Sequence, residues 1–209
     1  MSASADELRG WLIHALEAMP AHEDTLRDLD AALGDGDLGI TVRKGAAAVV
    51  DAFAALPPGA TITEMLLAAG KAFSTANPST FAALVGGGLI AGAKTANGKD
   101  ALTKADALAI GRAIAARIAE RGKAQPGDKT VLDALGPSLD TLESADGDAA
   151  ALLAAMIETA SREIGETAAL QSRRGRAAWV QERSIGHADA GATAYLLFLQ
   201  ALLAAMAVG

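Results

Sequence analysis

The sequence contains no cysteine, and only one tyrosine, two tryptophans and four phenylalanines. The missing cysteine excludes a disulfide scaffold, a thiolate metal site and a cysteine nucleophile, so any bound metal must sit on oxygen or imidazole. So few rings cannot form a base-stacking platform, and a net charge of −7 opposes a phosphate backbone. Nucleic acid is thereby excluded as a partner. β-Branched runs and alternating apolar/polar stretches are also scarce, which argues against a sheet protein. The N-terminal stretch MSASADELRGWL is acidic and lacks an apolar core run, so the expectation is a cytoplasmic protein without a secretory signal. One uncharged and strongly apolar run is 190–208, AGATAYLLFLQALLAAMAV. It is long enough to cross a bilayer. However, Gln200 near its middle, its small alanines and the lack of flanking basic residues favour a buried helix of a helical protein over a membrane span.

What the chain does have is 209 residues, 51% of them apolar, rich in Ala, Leu, Glu, Arg and Lys. These are good helix formers, and Gly, Pro and Asp clusters punctuate them. Helices are expected over Ala5–Met19, Glu23–Leu33, Val42–Leu56, Thr61–Ala76, Asn77–Ala96, Thr103–Arg121, Lys129–Leu142, Ala149–Leu170 and Ala190–Val208. Thr61 with Glu64 reads as a capping box. Asn77 and Pro78 read as N-cap and first helical residue, with Ser79 and Thr80 following as N2 and N3. Short connections imply antiparallel neighbours. No composition shift or repeat marks a boundary, so the expectation is one all-α domain over residues 1–209.

Three polar segments could carry chemistry. The loop from Asp30 to Gly39 places Asp30, Asp35 and Asp37 at a helix break. Carboxylates within about 4 Å of one another repel by ~1 kcal/mol per pair in water and more when partly buried, so the cluster calls for a cation. Oxygen ligands suit Mg²⁺ or Ca²⁺. An EF-hand loop needs an acid at its twelfth position, where Thr41 or Ala46 stands, which leaves Mg²⁺ as the better fit. The bland alternative is a pair of solvated Asp-Gly turns. The second segment, 121–130, leads into a helix whose first N–H groups could meet an anion beside Lys129 and Thr130. It is equally readable as a plain connection with Asp128 as N-cap. The third, 171–189, holds Arg173, Arg174, Arg176 and Arg183, and ends in His187-Ala188-Asp189-Ala190-Gly191. It reads as a phosphate-facing flap, or as arginines paired with surface acids and Asp189 capping the last helix. Ser79 and Thr80 at a helix start form either a fourth anion contact or simply a cap.

Taken together, Asp30-Ala-Ala-Leu-Gly-Asp35-Gly-Asp37 with Gly39, Arg121-Gly-Lys-Ala-Gln-Pro-Gly-Asp-Lys-Thr130 with Asp133-Ala-Leu, Gly175-Arg-Ala, and Glu182-Arg-Ser-Ile-Gly-His-Ala-Asp-Ala-Gly-Ala-Thr193 resemble the L subunit of dihydroxyacetone kinase in order and spacing, over nearly the whole chain. The resemblance implies an antiparallel barrel of eight helices with ADP or ATP at one end. It implies two Mg²⁺ ions on Asp30, Asp35 and Asp37, and nucleotide contacts at Leu38, Gly39, Ile40 and Thr41. It further implies an adenine pocket at Gly122 and Val131 near Thr130, and closure by Arg176 with Asp189, Ala190 and Gly191. Arg176 is the catalytic candidate. The acceptor, a short-chain ketose, would be held by a separate K subunit, and in some relatives a phosphocarrier protein recharges ADP. Where such relatives carry a Gly-Gly-x-Ser-Gly-Pro turn, this chain has Pro78-Ser79-Thr80-Phe81-Ala82-Ala83, so Ser79 and Thr80 would take over the phosphate contacts there. Leu38 stands where a histidine is common. These changes admit a tetrose or another small ketose as acceptor. Because no general base is evident, a non-catalytic helical protein that binds a nucleotide or a partner for regulation is the other reading.

Overall fold

The computed structural model describes residues 2–208. Its helices are α1 (Ala5–Ala18), α2 (Glu23–Ala31), α3 (Leu38–Ala54), α4 (Ile62–Ala76), α5 (Thr80–Ala96), α6 (Lys104–Gly122), α7 (Val131–Ser144), α8 (Ala149–Thr167) and α9 (Ala190–Met206). Short 3₁₀ segments lie at Met19–His22 and Arg176–Ser184. Each of α3 to α9 packs on the next, and α1 packs on both α9 and α3, so eight helices close a ring while α2 lies beside α3 at one end. Because sequential neighbours run antiparallel, the N-termini of α3, α5, α7 and α9 share that end.

Helix starts follow local chemistry. At the opposite end, Ser4 with Glu7, Thr61 with Glu64, and Thr103 with Asp106 form capping boxes, and Asp148 caps α8. That end also carries a feature the composition did not suggest. Ser2–Ser4 (β1) and Ala101–Thr103 (β2) form a two-stranded antiparallel ladder. Ala5 N–H donates to Asp100 O at 2.7 Å and Ile62 N–H to Lys99 O at 2.8 Å, which ties three chain segments together.

Several expected boundaries moved. Helix α3 begins at Leu38 and not Val42, because Leu38 N–H finds the Asp30 carboxylate as its partner. Helix α5 begins at Thr80, with Ser79 and not Asn77 as N-cap. Asn77, preceding a proline, is extended (φ −150°, ψ 133°) as the pyrrolidine ring requires, and its amide donates to Thr41 Oγ1 at 2.8 Å. Helix α7 begins at Val131 with Thr130 as N-cap, and α8 stops at Thr167.

Apolar side chains fill the ring in contiguous clusters. One joins α6 to α9 through Leu135, Leu139, Leu152, Met156 and Leu199, and a second joins α3, α4 and α5 through Val49, Phe53, Met65 and Phe73. A third, of Met19, Leu26, Leu38, Val42, Ala46 and Ala194, underlies the end where α2, α3 and α9 meet. The apolar segment 190–208 thus contributes a barrel helix, and among the described residues no helix is long and apolar enough to cross a membrane.

Glycine makes the α4/α5 crossing possible. A Cβ on Gly86 would lie 2.5 Å from Gly70 O, and one on Gly70 2.7 Å from Gly86 O, whereas a Cβ on Gly87 meets nothing within 4 Å. Gly86→Ala is therefore expected to destabilise the fold by about 1–3 kcal/mol through overpacking. Gly87→Ala should stabilise it by about 0.5–1 kcal/mol through helix propensity. Urea unfolding of the two variants checks the opposite signs.

Candidate functional site

Asp30 lies in the last turn of α2, and Asp35 and Asp37 lie in the connection to α3. One oxygen from each falls within 4.8 Å of the others. The backbone around them is built for the approach. Gly34 N–H donates to Asp30 O at 2.6 Å, and a Cβ on Gly34 would stand 2.8 Å from Asp30 Oδ1. Gly36 adopts φ +73°, which turns the chain between the two aspartates. Asp30 Oδ2 accepts from Leu38 N–H at 3.2 Å and so fixes the start of α3. Burial raises the Asp37 pKa above the usual carboxylate value, the neighbouring Asp35 charge adds to this, and Arg176 opposes it.

Arg176 reaches this cluster from the other side of the sequence. Its Nη1 pairs with Asp35 Oδ1 and lies 3.7 Å from Asp37 Oδ2. The three carboxylates already hold one cationic group, and the cradle around Asp30 leaves no room for a side chain at position 34. This donor set, all oxygen and half exposed, fits Mg²⁺.

Helix N-termini surround the cluster. Helices α7 and α9 are capped by Thr130 and Asp189, whereas Asp37 and Ser79 make no side-chain cap bond on α3 and α5. The first-turn N–H groups of a helix have no intrahelical acceptor, so those of Gly39, Ile40 and Thr80 are oriented to meet an anion. The side chains of this region are otherwise occupied. Leu38 is in the core, Thr41 is fully buried on Asn77, and a Cβ on Gly39 would fall 2.1 Å from Glu23 O, so that glycine lets α2 and α3 touch. Any contact from Leu38 to Thr41 is thus a backbone contact.

Helix α5 links the remaining expected residues. Phe81 lies against Gly191, where a Cβ would be 3.3 Å from its ring, and Leu84, one turn on, lies 3.7 Å from a Cβ on Gly122. Val131 and Leu84 pack on one apolar cluster, and Ala190 and Phe81 on another. Ser79 is half-buried and Thr80 exposed at the head of α5.

The 121–130 segment departs from expectation. Asp128 is not a helix cap: it is 1% exposed and accepts from Gln125 N–H at 3.0 Å and from Arg174 Nε at 2.8 Å, and the Arg174 bond chiefly lowers its pKa. Asp133 instead accepts from Gly127 N–H at 2.5 Å and Thr130 N–H at 2.6 Å. Lys129 is not available to an outside anion. It is 1% exposed, and its ammonium donates to the carbonyls of Ala168, Leu170 and Ser184 at 3.1, 2.8 and 2.6 Å. No local spacing signals this contact, because its partners lie far along the chain.

A DAK2 domain family profile matches residues 32–204. The chain is 30% identical over 207 residues to the ADP-binding subunit DhaL of the PEP-dependent dihydroxyacetone kinase of Escherichia coli (strain K12), covering 97% of each protein. It is 37% identical over 186 residues to the D-erythrulose kinase of Mycolicibacterium smegmatis, covering 87% of this chain and 32% of that protein. The crystal structure of the dihydroxyacetone kinase from C. freundii in complex with AMP-PNP and Mg²⁺ is similar in fold, with a TM-score of 0.76 and 21% identity, over 98% of this chain and 34% of that one.

Asp189 supplies a test of the site's electrostatics. Its Oδ2 accepts from Ala192 N–H at 2.7 Å, but burial pushes its pKa up to about 6, with Asp133 adding and Lys129 opposing. The folded state therefore holds a proton that the unfolded chain has released above about pH 4. The stability Asp189 contributes is present below that pH and lost as pH rises through about 6, on the order of 1–3 kcal/mol in total. Urea unfolding from pH 4 to 7.5 should show a larger fall in the wild type than in Asp189→Asn, where only the raised Asp37 carboxyl still contributes in this direction.

Proposed function

The chain belongs to the DAK2 domain family, and on that premise we propose that it is the nucleotide-binding subunit of a dihydroxyacetone-type kinase, active when docked to a separate substrate-holding K subunit. Residues 1–209 act as one nucleotide-binding domain in the cytoplasm. The observation that carries this reading is the meeting of Asp30, Asp35, Asp37 and Arg176 at one point, beside the N-termini of α3 and α5, whose cap residues Asp37 and Ser79 make no side-chain bond.

In this reading Asp30, Asp35 and Asp37 hold two Mg²⁺ ions. Bound there, Mg²⁺ neutralises polyphosphate charge and orients the phosphate oxygens of ADP or ATP. The open backbone N–H groups of Gly39 and Ile40, in the turn from Leu38 to Thr41, donate to those oxygens, while Leu38 N–H stays on Asp30 and Thr41 N–H on Asp37 O, and Ser79 and Thr80 at the head of α5 serve the role of a glycine turn. Gly122, Thr130 and Val131 bound the adenine side, where Leu84 supplies an apolar wall. Asp189, Ala190 and Gly191 form the near edge of the flap. Arg176 faces the transferring phosphoryl group, where a fixed positive charge is worth most as negative charge spreads over the equatorial oxygens. The chain supplies position and charge, and the acceptor hydroxyl and its base belong to the partner. The likeness to the E. coli subunit supports a phosphocarrier that recharges bound ADP. The likeness to a D-erythrulose kinase, with the altered 78–83 turn, supports a four-carbon ketose as a second acceptor to assay.

Two outcomes are expected. Titration calorimetry should show Mg²⁺-dependent ADP binding that falls at least about a hundredfold in Asp35→Asn and Asp37→Asn, each of which removes one charge-bearing ligand. Nucleotide binding that ignores Mg²⁺ and both substitutions would sink the reading. Arg176→Ala should lower phosphoryl transfer by roughly 10²–10³-fold while changing ADP affinity by less than about tenfold. Equal losses would place Arg176 in ground-state binding, and wild-type binding with no transfer to any small ketose would favour a regulatory nucleotide-binding role.

A further inference from the structure

The chain between α8 and α9 is long for a connection inside a helical barrel, and its ends are held together. Gly186 N–H donates to Ala168 O at 2.8 Å, and Ser172 N–H donates to Ser184 Oγ at 2.9 Å. The result is a loop with a closed neck, and Arg176 rides on it between the neck's two strands. A second layer of contacts fastens the neck to the start of α7. Arg173 N–H donates to Asp128 O at 3.0 Å, Arg174 Nε to Asp128 Oδ2, and the Lys129 ammonium to carbonyls on both sides of the neck, Ala168 and Leu170 on one and Ser184 on the other.

Lysine is an unexpected residue for this place on two counts. Its backbone sits at φ +62°, where glycine or asparagine would be cheaper, and its charge is buried. An ammonium has three N–H donors, and here each finds a carbonyl, so the group is saturated. Glycine would satisfy the backbone and lose all three bonds. The side chain is what the position selects for, and what it grips is the neck of the flap.

We propose that Lys129 is a positioning residue: its ammonium pins both ends of the flap to the start of α7 and thereby fixes Arg176 over Asp35 and Asp37. This rests on the reading of Arg176 as the group that faces the transferring phosphoryl. Lys129 itself touches neither nucleotide nor acceptor. Loosening the neck leaves the aspartate cluster and the N-termini of α3 and α5 in place, so it affects transfer more than nucleotide affinity.

The absence of cysteine offers a direct test, because Lys129→Cys introduces the only thiol in the chain. Alkylation with 2-bromoethylamine in denaturant, followed by refolding, restores an ammonium at nearly the length of lysine. Lys129→Met and unmodified Lys129→Cys are expected to be cut by subtilisin between Gln171 and Gly186 roughly 10–100-fold faster than wild type, since hydrogen bonds to a buried charge hold the neck shut. Their kcat should fall by about the same factor, with Mg²⁺-ADP affinity within about threefold, and alkylation should recover both losses. Wild-type flap cleavage in the two variants, or kcat losses that alkylation does not recover in refolded protein, would overturn the proposal. Should these variants not refold, Arg174→Ala loosens the same neck from its half-exposed side. Flap cleavage and kcat changed a few-fold in the expected directions would support the clamp, and wild-type values of both would overturn it. If wild-type protein bound no Mg²⁺-ADP, the kinase reading would fail while the cleavage comparison still decided the role of Lys129.

Discussion

Three carboxylates brought within 4.8 Å of one another repel, and the end of the barrel where they meet is organised around that repulsion. At such spacing each pair costs ~1 kcal/mol in water and several-fold more where solvent is partly excluded. The fold meets the cost in two ways visible in the structure. Asp30 spends one oxygen on the first N–H of α3, and the Arg176 guanidinium sits between Asp35 and Asp37. Burial still raises the Asp37 pKa, so compensation from the protein alone is incomplete. An incompletely neutralised oxygen cluster is what a cation site requires, and a fully neutralised one would be merely a structural ion pair.

The two ends of the barrel divide the work. At one end, four side-chain caps and a short strand ladder satisfy backbone groups locally and close the chain on itself. At the other, Thr130 and Asp189 cap α7 and α9, but α3 has only the Asp30 carboxylate on its first N–H and α5 has no side-chain cap, and the long α8–α9 connection folds back over them. Side-chain caps therefore close α1, α4, α6 and α8 at the first end, and the free first-turn N–H groups lie on α3 and α5 at the second. Close helix contacts through Gly70, Gly86 and Gly39 hold the second end in register without large side chains.

Much of this was legible in the sequence because it is local. Helix bodies follow composition and spacing, the Thr61 capping box is a four-residue pattern, and the three aspartates fall within eight positions of one another. What was not legible depends on partners far apart in the chain. The 121–130 segment reads as an anion loop, or as a plain connection with Asp128 as a cap, yet Asp128 and Lys129 are committed to residues 168–184, and nothing within a few positions reveals it. Asn77 reads as a helix cap because Asn-Pro is a good one, but its amide is taken by Thr41, from a different helix. The β1–β2 ladder pairs residues separated by the five helices α1 to α5 and has no signal beyond Thr103 as a cap. The arginine flap could be read as phosphate-facing or as pairing with acids, and it does pair: Arg176 reaches the very carboxylates assigned to the cation.

The central claim is that Asp30, Asp35 and Asp37 form a cation site that serves a nucleotide. Electron paramagnetic resonance of Mn²⁺, added to ADP-saturated protein in place of Mg²⁺, tests it most directly by counting the ions removed from solution. The account predicts that wild type sequesters two Mn²⁺ per chain in an ADP-dependent manner, and that the Asp35→Asn, Asp37→Asn double variant sequesters none. Equal sequestration by both proteins, or none by either, would contradict it.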